Sequence, residues 1–140
     1  MTDWAHSLHA TLQRHPWLVD AVVGPRVMGP NELTWIEGAL RALDGSGLSG
    51  AEQMDAVTLL SGHIRDIARH ARASGPSGSP EGQILGCLTE VLHDHPDRYP
   101  ALAAALASPA GPQDRDQALE FGLERILDGL AALIARRRTG

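Results

Sequence analysis

The segment that most constrains this 140-residue chain is its last predicted helix, Asp116 to Arg138, because its apolar arc is too wide for one partner. At about 100° per residue, Leu119, Leu123, Ile126, Leu127, Leu130, Leu133 and Ile134 form one stripe, and Ala118, Gly122, Gly129 and Ala132 form a second beside it. Together they cover well over half the circumference. A surface helix needs only about 100° of apolar face, so this one is expected to pack on its own domain and on a second copy of itself. Gly122 and Gly129 lie on the small-residue stripe, and each costs roughly 1 kcal/mol of helix stability relative to Ala. Close backbone approach across a helix–helix seam would offset that cost. The pattern predicts a helical, dimeric domain.

The length suits a single domain, residues 1–140, able to bury a core without disulfide or metal staples. The lone cysteine, Cys87, has no internal partner for a bridge. No signal peptide opens the chain and no apolar run is long enough to span a bilayer, which predicts a cytoplasmic protein with no membrane partner. All basic side chains are Arg, and acidic groups exceed them to give a formal charge of −5. That balance argues against nucleic-acid binding by this segment, because phosphate contacts call for a basic face. The one dense basic run, Arg136-Arg137-Arg138, stands at a helix C-terminus, where cations complement the helix dipole.

β-branched and aromatic residues are sparse and no stretch alternates with period two, so the fold is read as all-α, a bundle of about five to six helices. The first helix starts near Asp3 and is interrupted at Pro16, before Trp17, Leu18 and Val19. Gly24-Pro25 and Gly29-Pro30 break the chain, and Asn31 is the expected N-cap of a second helix that ends in Asp44-Gly45-Ser46-Gly47. Ser49 and Glu52 form a capping box that opens a long third helix through about Arg72, with Val57, Leu60, Ile64, Ile67, Ala68 and Ala71 as its core face. Residues 73–82 read as a flexible connector. A fourth helix from about Glu81 to His93 stops at His95-Pro96, and Tyr99-Pro100 starts a short one. Pro109 to Pro112 is a turn ahead of the final helix.

This order of segments resembles the C-terminal, effector-binding and dimerisation domain of TetR-family transcriptional regulators, in the subclass related to the tetracycline repressor and common in actinomycetes. The resemblance is carried by Asp3-Trp4, by Arg14-His15-Pro16-Trp17-Leu18, by the Gly29-Pro30-Asn31 lead-in to a helix, by Tyr99-Pro100-Ala101-Leu102, and by the ending Phe121-Gly122-Leu123-Glu124-Arg125-Ile126-Leu127-Asp128-Gly129-Leu130. It covers essentially the whole chain. It implies a non-enzymatic module that binds a small hydrophobic or amphipathic effector between its helices, the resulting helix shift changing the separation of two DNA-reading heads. The family carries a helix-turn-helix domain ahead of this region. Only Met1 and Thr2 precede Asp3 here, so this chain alone is not expected to bind an operator. It is either an excised effector domain or a free-standing protein that sequesters a small molecule without touching DNA.

The implied pocket is lined by inward residues of the first four helices: Trp17, Val22, Met28, Leu33, Ile36, Met54, Leu60, Ile64, Cys87 and Leu88, with His63 as a polar group that orients the ligand. The implied dimer interface is a four-helix arrangement of the fourth and last helices from each copy, with Ala118, Gly122, Gly129 and Ala132 at the close approach and Leu88 and Leu92 as partners.

Other constellations have simpler explanations. His63, Asp66 and His70 at i, i+3 and i+7 resemble a metal set, and tetracycline repressors bind a metal-chelated drug. However, i and i+7 positions lie about 10 Å apart along a helix, too far for one ion, so no metal and no cofactor is assigned. His93-Asp94-His95 with Asp97 falls at a helix end, where cap and surface roles account for it. Gly45-Ser46-Gly47-Leu48-Ser49-Gly50 spells G-x-G-x-x-G but follows a helix rather than a strand, which makes it a helix–helix turn. Cys87 sits between apolar neighbours and reads as inert core rather than a nucleophile. Histidine acid–base catalysis at His63 would need a second positioned group and a cleft, neither visible in the sequence.

Overall fold

A computed structural model describes residues 1–21, 27–74, 80–95, 98–107 and 117–138. Among them are seven α-helices and no strand: α1 (Thr2–Arg14), α2 (Leu18–Ala21), α3 (Pro30–Arg41), α4 (Gly50–Ser74), α5 (Pro80–Asp94), α6 (Pro100–Ala107) and α7 (Ala118–Arg138). The all-α expectation holds, with a helix count above the expected five to six because the segment after Pro16 forms its own single turn, α2. The chain divides into two compact units, Met1–Arg69 with Leu119–Gly140, and His70–Ala118.

In the first unit, α1 stops where Pro16 dictates. The residue before a proline is pushed out of helical geometry, and His15 has φ −129° and ψ 70°. Breakers at residues 24 and 25, and Val22 of the expected pocket, lie outside the described residues. At α3 the expected cap is displaced. Gly29 is the N-cap, in extended geometry, and Pro30 occupies the first helical turn, so Asn31 is already inside the helix. Proline's fixed φ and absent N–H suit that first position better than they suit a position ahead of a cap. The Ser49–Glu52 box forms as expected: Ser49 N–H donates to Glu52 Oε2 at 2.8 Å, and Glu52 N–H donates to Ser49 Oγ at 3.4 Å.

Between α3 and α4, Gly45 and Gly47 have φ of +68° and +85°, the left-handed region that a Cβ disfavours. Asp44 Oδ1 accepts from Gly45 N–H at 2.9 Å, and Ser46 Oγ accepts from Leu48 N–H at 3.3 Å. The G-x-G-x-x-G string is thus a helix–helix turn. Gly47→Ala should lower stability by about 1–2 kcal/mol. Gly62→Ala, inside α4 with nothing within 4 Å of the added methyl, should raise it by about 1 kcal/mol through helix propensity. Urea unfolding of both variants checks the pair.

The buried core lies in this unit as two clusters. Ala5 and Leu12 of α1, Val19 of α2, Leu60, Ile64 and Ala68 of α4, and Leu123 of α7 form the larger. Ala39 of α3, Leu43, and Ala56 and Val57 of α4 form the smaller. Met1 and Trp4 pack against both. Trp4 also donates from its indole Nε1 to the Trp35 carbonyl at 2.9 Å and meets the Trp35 ring edge-on at 6.3 Å, which joins α1 to α3.

The second unit contains α5, α6 and the last turn of α4. Helices occupy both ends of the expected connector, since α4 runs to Ser74 and α5 begins at Pro80, another proline in a first turn. None of its described residues is fully buried, and Ile84, Leu85 and Val91 of α5 are exposed.

Candidate functional site

The longest helix, α4, carries the largest share of the buried core, so it positions the polar groups that face its neighbours. His63 lies half-buried on α4 with its Nε2 3.1 Å from the Leu119 carbonyl of α7. A carbonyl only accepts, so this nitrogen carries the proton and donates. The imidazole rests directly on Gly122: a Cβ added there would fall 2.2 Å from both Cε1 and Nε2 of the ring. Gly122 is therefore a close-approach glycine, as its spacing suggested, but the approach is made by His63 of the same chain. Gly129, one heptad later, has nothing within 4 Å of an added Cβ and is exposed, as is Ala132, while Ala118 is half-buried.

The two ends of α7 are held by different chemistry. At the C-terminal end, Arg137 donates from Nη1 to Glu52 Oε2 at 2.7 Å and from Nη2 to Glu52 Oε1, and Nη1 also reaches the Gly47 carbonyl at 3.4 Å. The arginine run read from sequence as a dipole complement thus contributes a bidentate pair to the carboxylate that caps α4. Hydrogen bonds from the Ser49 backbone and hydroxyl, with Arg137 beyond them, hold the Glu52 carboxyl below the usual carboxylate range. At the N-terminal end, His6 Nδ1 of α1 lies 3.6 Å from Glu120 Oε1. Burial, with His6 nearby, pushes the His9 imidazole below its ordinary value, and Glu120 partly offsets this.

The structure separates the expected pocket residues into groups. Leu60 and Ile64 are 0% exposed and belong to the core. Ile36 is half-buried on α3. Trp17, Met28, Leu33 and Met54 are exposed, Trp17 by 64%. In the second unit Leu88 and Leu92 are half-buried, and Cys87 is exposed, which corrects its reading as core. An open depression of about 650 Å³ is lined by Gly86, Thr89, Glu90, His93 and Asp94, all on α5, and touches none of the expected pocket residues. On the third predicted helix, Asp66 is paired with Arg69. Among the described residues no three His, Cys, Asp or Glu side chains gather as metal ligands. No helix of the described residues is long and apolar enough to cross a membrane.

Phe121 was not singled out from the sequence. It is 63% exposed on α7, with the Arg125 guanidinium 5.6 Å from its ring centroid and Arg125 also bonded to Asp128 at 2.8 Å. At helical spacing Phe121, Arg125, Asp128 and Ala132 share one flank beside Gly129. The signal was available: that flank borders the small-residue stripe, and a large aromatic on it has no place in the helix's own core.

Comparison with known proteins identifies the family. Residues 1–134 match the family model described as "Tetracyclin repressor-like, C-terminal domain". The chain is also similar to the HTH-type transcriptional repressor DrrR1 of Streptomyces coeruleorubidus, 31% identical over 137 residues, covering 92% of this chain and 49% of that protein. The chain thus spans about half the length of the curated relative it matches. No solved structure matches it. With the family match running from the first residue of α1 into the last turns of α7, the chain belongs to the tetracycline-repressor-like C-terminal domain family.

Proposed function

We propose that residues 1–140 act as one effector-binding and homodimerisation domain of a TetR-like transcriptional repressor, without enzymatic activity, working in the cytoplasm with DNA contacts made by another part of the full-length protein. A small hydrophobic or amphipathic effector binds among the helices, and the helix shift that follows releases DNA. Physically, the effector must bind the DNA-incompetent arrangement better than the competent one, because only differential affinity moves the equilibrium. The observation that carries this reading is the family match over residues 1–134, supported by a relative whose name is that of a transcriptional repressor.

The geometry supports a dimer seam on the outer flank of α7. Leu123 is buried on the opposite face, and Phe121, Gly129 and Ala132 are exposed. Gly129→Leu tests this directly. Within the chain the new side chain meets nothing within 4 Å of its Cβ, so the fold should be kept and helix propensity improved. Sedimentation velocity should show wild type as a dimer and this variant as a folded monomer. An unchanged dimer would remove α7 from the interface. Native mass spectrometry of the wild-type chain weighs any retained small molecule, and a mass gain lost in Met54→Ala or Leu33→Ala would place the effector beside those exposed apolar residues.

A further inference from the structure

The turn between α3 and α4 is supported at two ranges. Its short-range bonds close within five residues: Gly45 N–H donates to Asp44 Oδ1, Leu48 N–H to Ser46 Oγ, and Gln53 Nε2 to the Leu48 carbonyl at 3.2 Å. The long-range bonds come from Arg137, 85 positions beyond Glu52 and 90 beyond Gly47. Its Nη2 donates to Glu52 Oε1, and its Nη1 is shared between Glu52 Oε2 and the Gly47 carbonyl. Ser49 Oγ donates to the same Oε2 at 2.9 Å, so one carboxylate oxygen receives both the cap of α4 and the end of α7. Two turns before Arg137, Leu130 packs against Ala39, Leu43, Ala56 and Val57, a cluster drawn from both sides of this turn.

We propose that Arg137 is a clasp that locks the α3–α4 corner to the last turn of α7, so that opening either one frees the other. The inference needs neither an effector nor a second copy, and its failure would leave the proposed function standing.

The guanidinium supplies the reason. A planar fork meets a carboxylate through two parallel N–H bonds, which fixes direction as well as distance. The third bond, at 3.4 Å, reaches the carbonyl of a glycine held at φ +85°. With no Cβ, Gly45 and Gly47 reach other conformations at little cost, so bonds from outside the corner restrict it more than they would restrict a run of ordinary residues.

Cap and clasp are separable. Ser49 N–H needs only an acceptor oxygen on the side chain at position 52, which glutamine also supplies, whereas the Arg137 fork needs both carboxylate oxygens. Coupling through the clasp is reciprocal: displacing the last turn of α7 frees the corner, and rearranging the corner frees that turn. Because α3 runs directly into the corner, the clasp ties the placement of α3, which carries Leu33 and Ile36, to the position of α7.

Amide exchange followed residue by residue by NMR on the intact chain tests the clasp. Arg137→Ala should speed exchange of the Gly45, Ser46 and Leu48 amides by about three- to fivefold and leave the core amides of Leu60 and Ile64 unchanged. Glu52→Gln, which keeps the cap and loses the fork, should speed exchange at the same corner and also in the last turn of α7, with the first turn of α4 unchanged. Arg138→Ala removes the same charge from the exposed neighbouring position and should do neither. Unchanged exchange at the corner in Arg137→Ala overturns the proposal, as does an equal rise in Arg138→Ala. A rise spread evenly over the corner and the core amides overturns it too, because that marks a general loss of stability. Glu52→Gln with a freed corner and an unmoved end of α7 refutes the reciprocal coupling and with it the clasp.

Discussion

Gly122→Leu should destabilise the chain by about 2 kcal/mol, and the lesion should be one of folding rather than of assembly. Leucine at this position must displace the His63 ring, which lies where the Cβ would go, and then fit three further carbons into the α4–α7 seam. Overpacking of this kind costs about 1–3 kcal/mol, and the added loss of the His63–Leu119 hydrogen bond removes about 1 kcal/mol, against a helix-propensity gain of about 1 kcal/mol. Gly122→Ala separates these contributions. It gains the same propensity and loses the same hydrogen bond, so it should come out within about 0.5 kcal/mol of wild type. In a His63→Ala background the ring is gone, and Gly122→Ala should then stabilise by about 1 kcal/mol. A double-mutant cycle by urea unfolding at fixed protein concentration reads the coupling, and additivity of the two substitutions would show that the ring does not occupy the notch.

That notch marks where sequence reasoning reaches its limit. Periodicity located it, because a glycine in a helix interior calls for a close neighbour, but the neighbour is 59 positions away and polar, and a helical wheel names no partner. The wheel does place Gly122 on the border between the inward stripe and the outer flank, whereas Gly129 falls farther out. Local signals were read more completely. The capping box at Ser49 and Glu52 and the core stripe of α4 depend only on spacing within one helix: the box appears as read, and of the stripe Val57, Leu60, Ile64 and Ala68 are buried while Ile67 and Ala71 are half-buried. Proline misled at Pro30, because it both ends and begins helices, whereas the start of α5 at Pro80 lies one residue from the expected Glu81.

The candidate site was less legible for a related reason. Trp17, Met28, Leu33 and Met54 share their residue types with Leu60 and Ile64, and apolar character does not say whether a side chain is covered by its own chain or is left for something else. Cys87 shows the same ambiguity, with apolar sequence neighbours and an exposed position. Glu52 is the opposite case. Its cap role was visible in four residues of sequence, while its pairing with Arg137 joins positions 85 apart and required the antiparallel return of α7 along α4.

The distinction between covered and exposed apolar residues predicts the largest single effect. Leu60→Ala should cost about 3 kcal/mol, within the 2–5 kcal/mol typical of emptying a fully buried leucine site, because Leu60 is 0% exposed and its neighbours Ile64, Leu12 and Leu123 cannot all relax into the space. Against a total stability of roughly 5–15 kcal/mol this is a large fraction, and a lowered urea midpoint with an unchanged slope is the expected readout. Met54→Ala, one and a half turns earlier on the same helix, replaces an exposed side chain by the best helix former and should stay within about 0.5 kcal/mol of wild type. If effector retention is then compared at matched folded fraction, Leu60→Ala should bind as wild type does and Met54→Ala should bind more weakly. Retention that falls in Leu60→Ala alone, with the fold intact, would instead move the effector from the exposed Met54 to the buried face of α4.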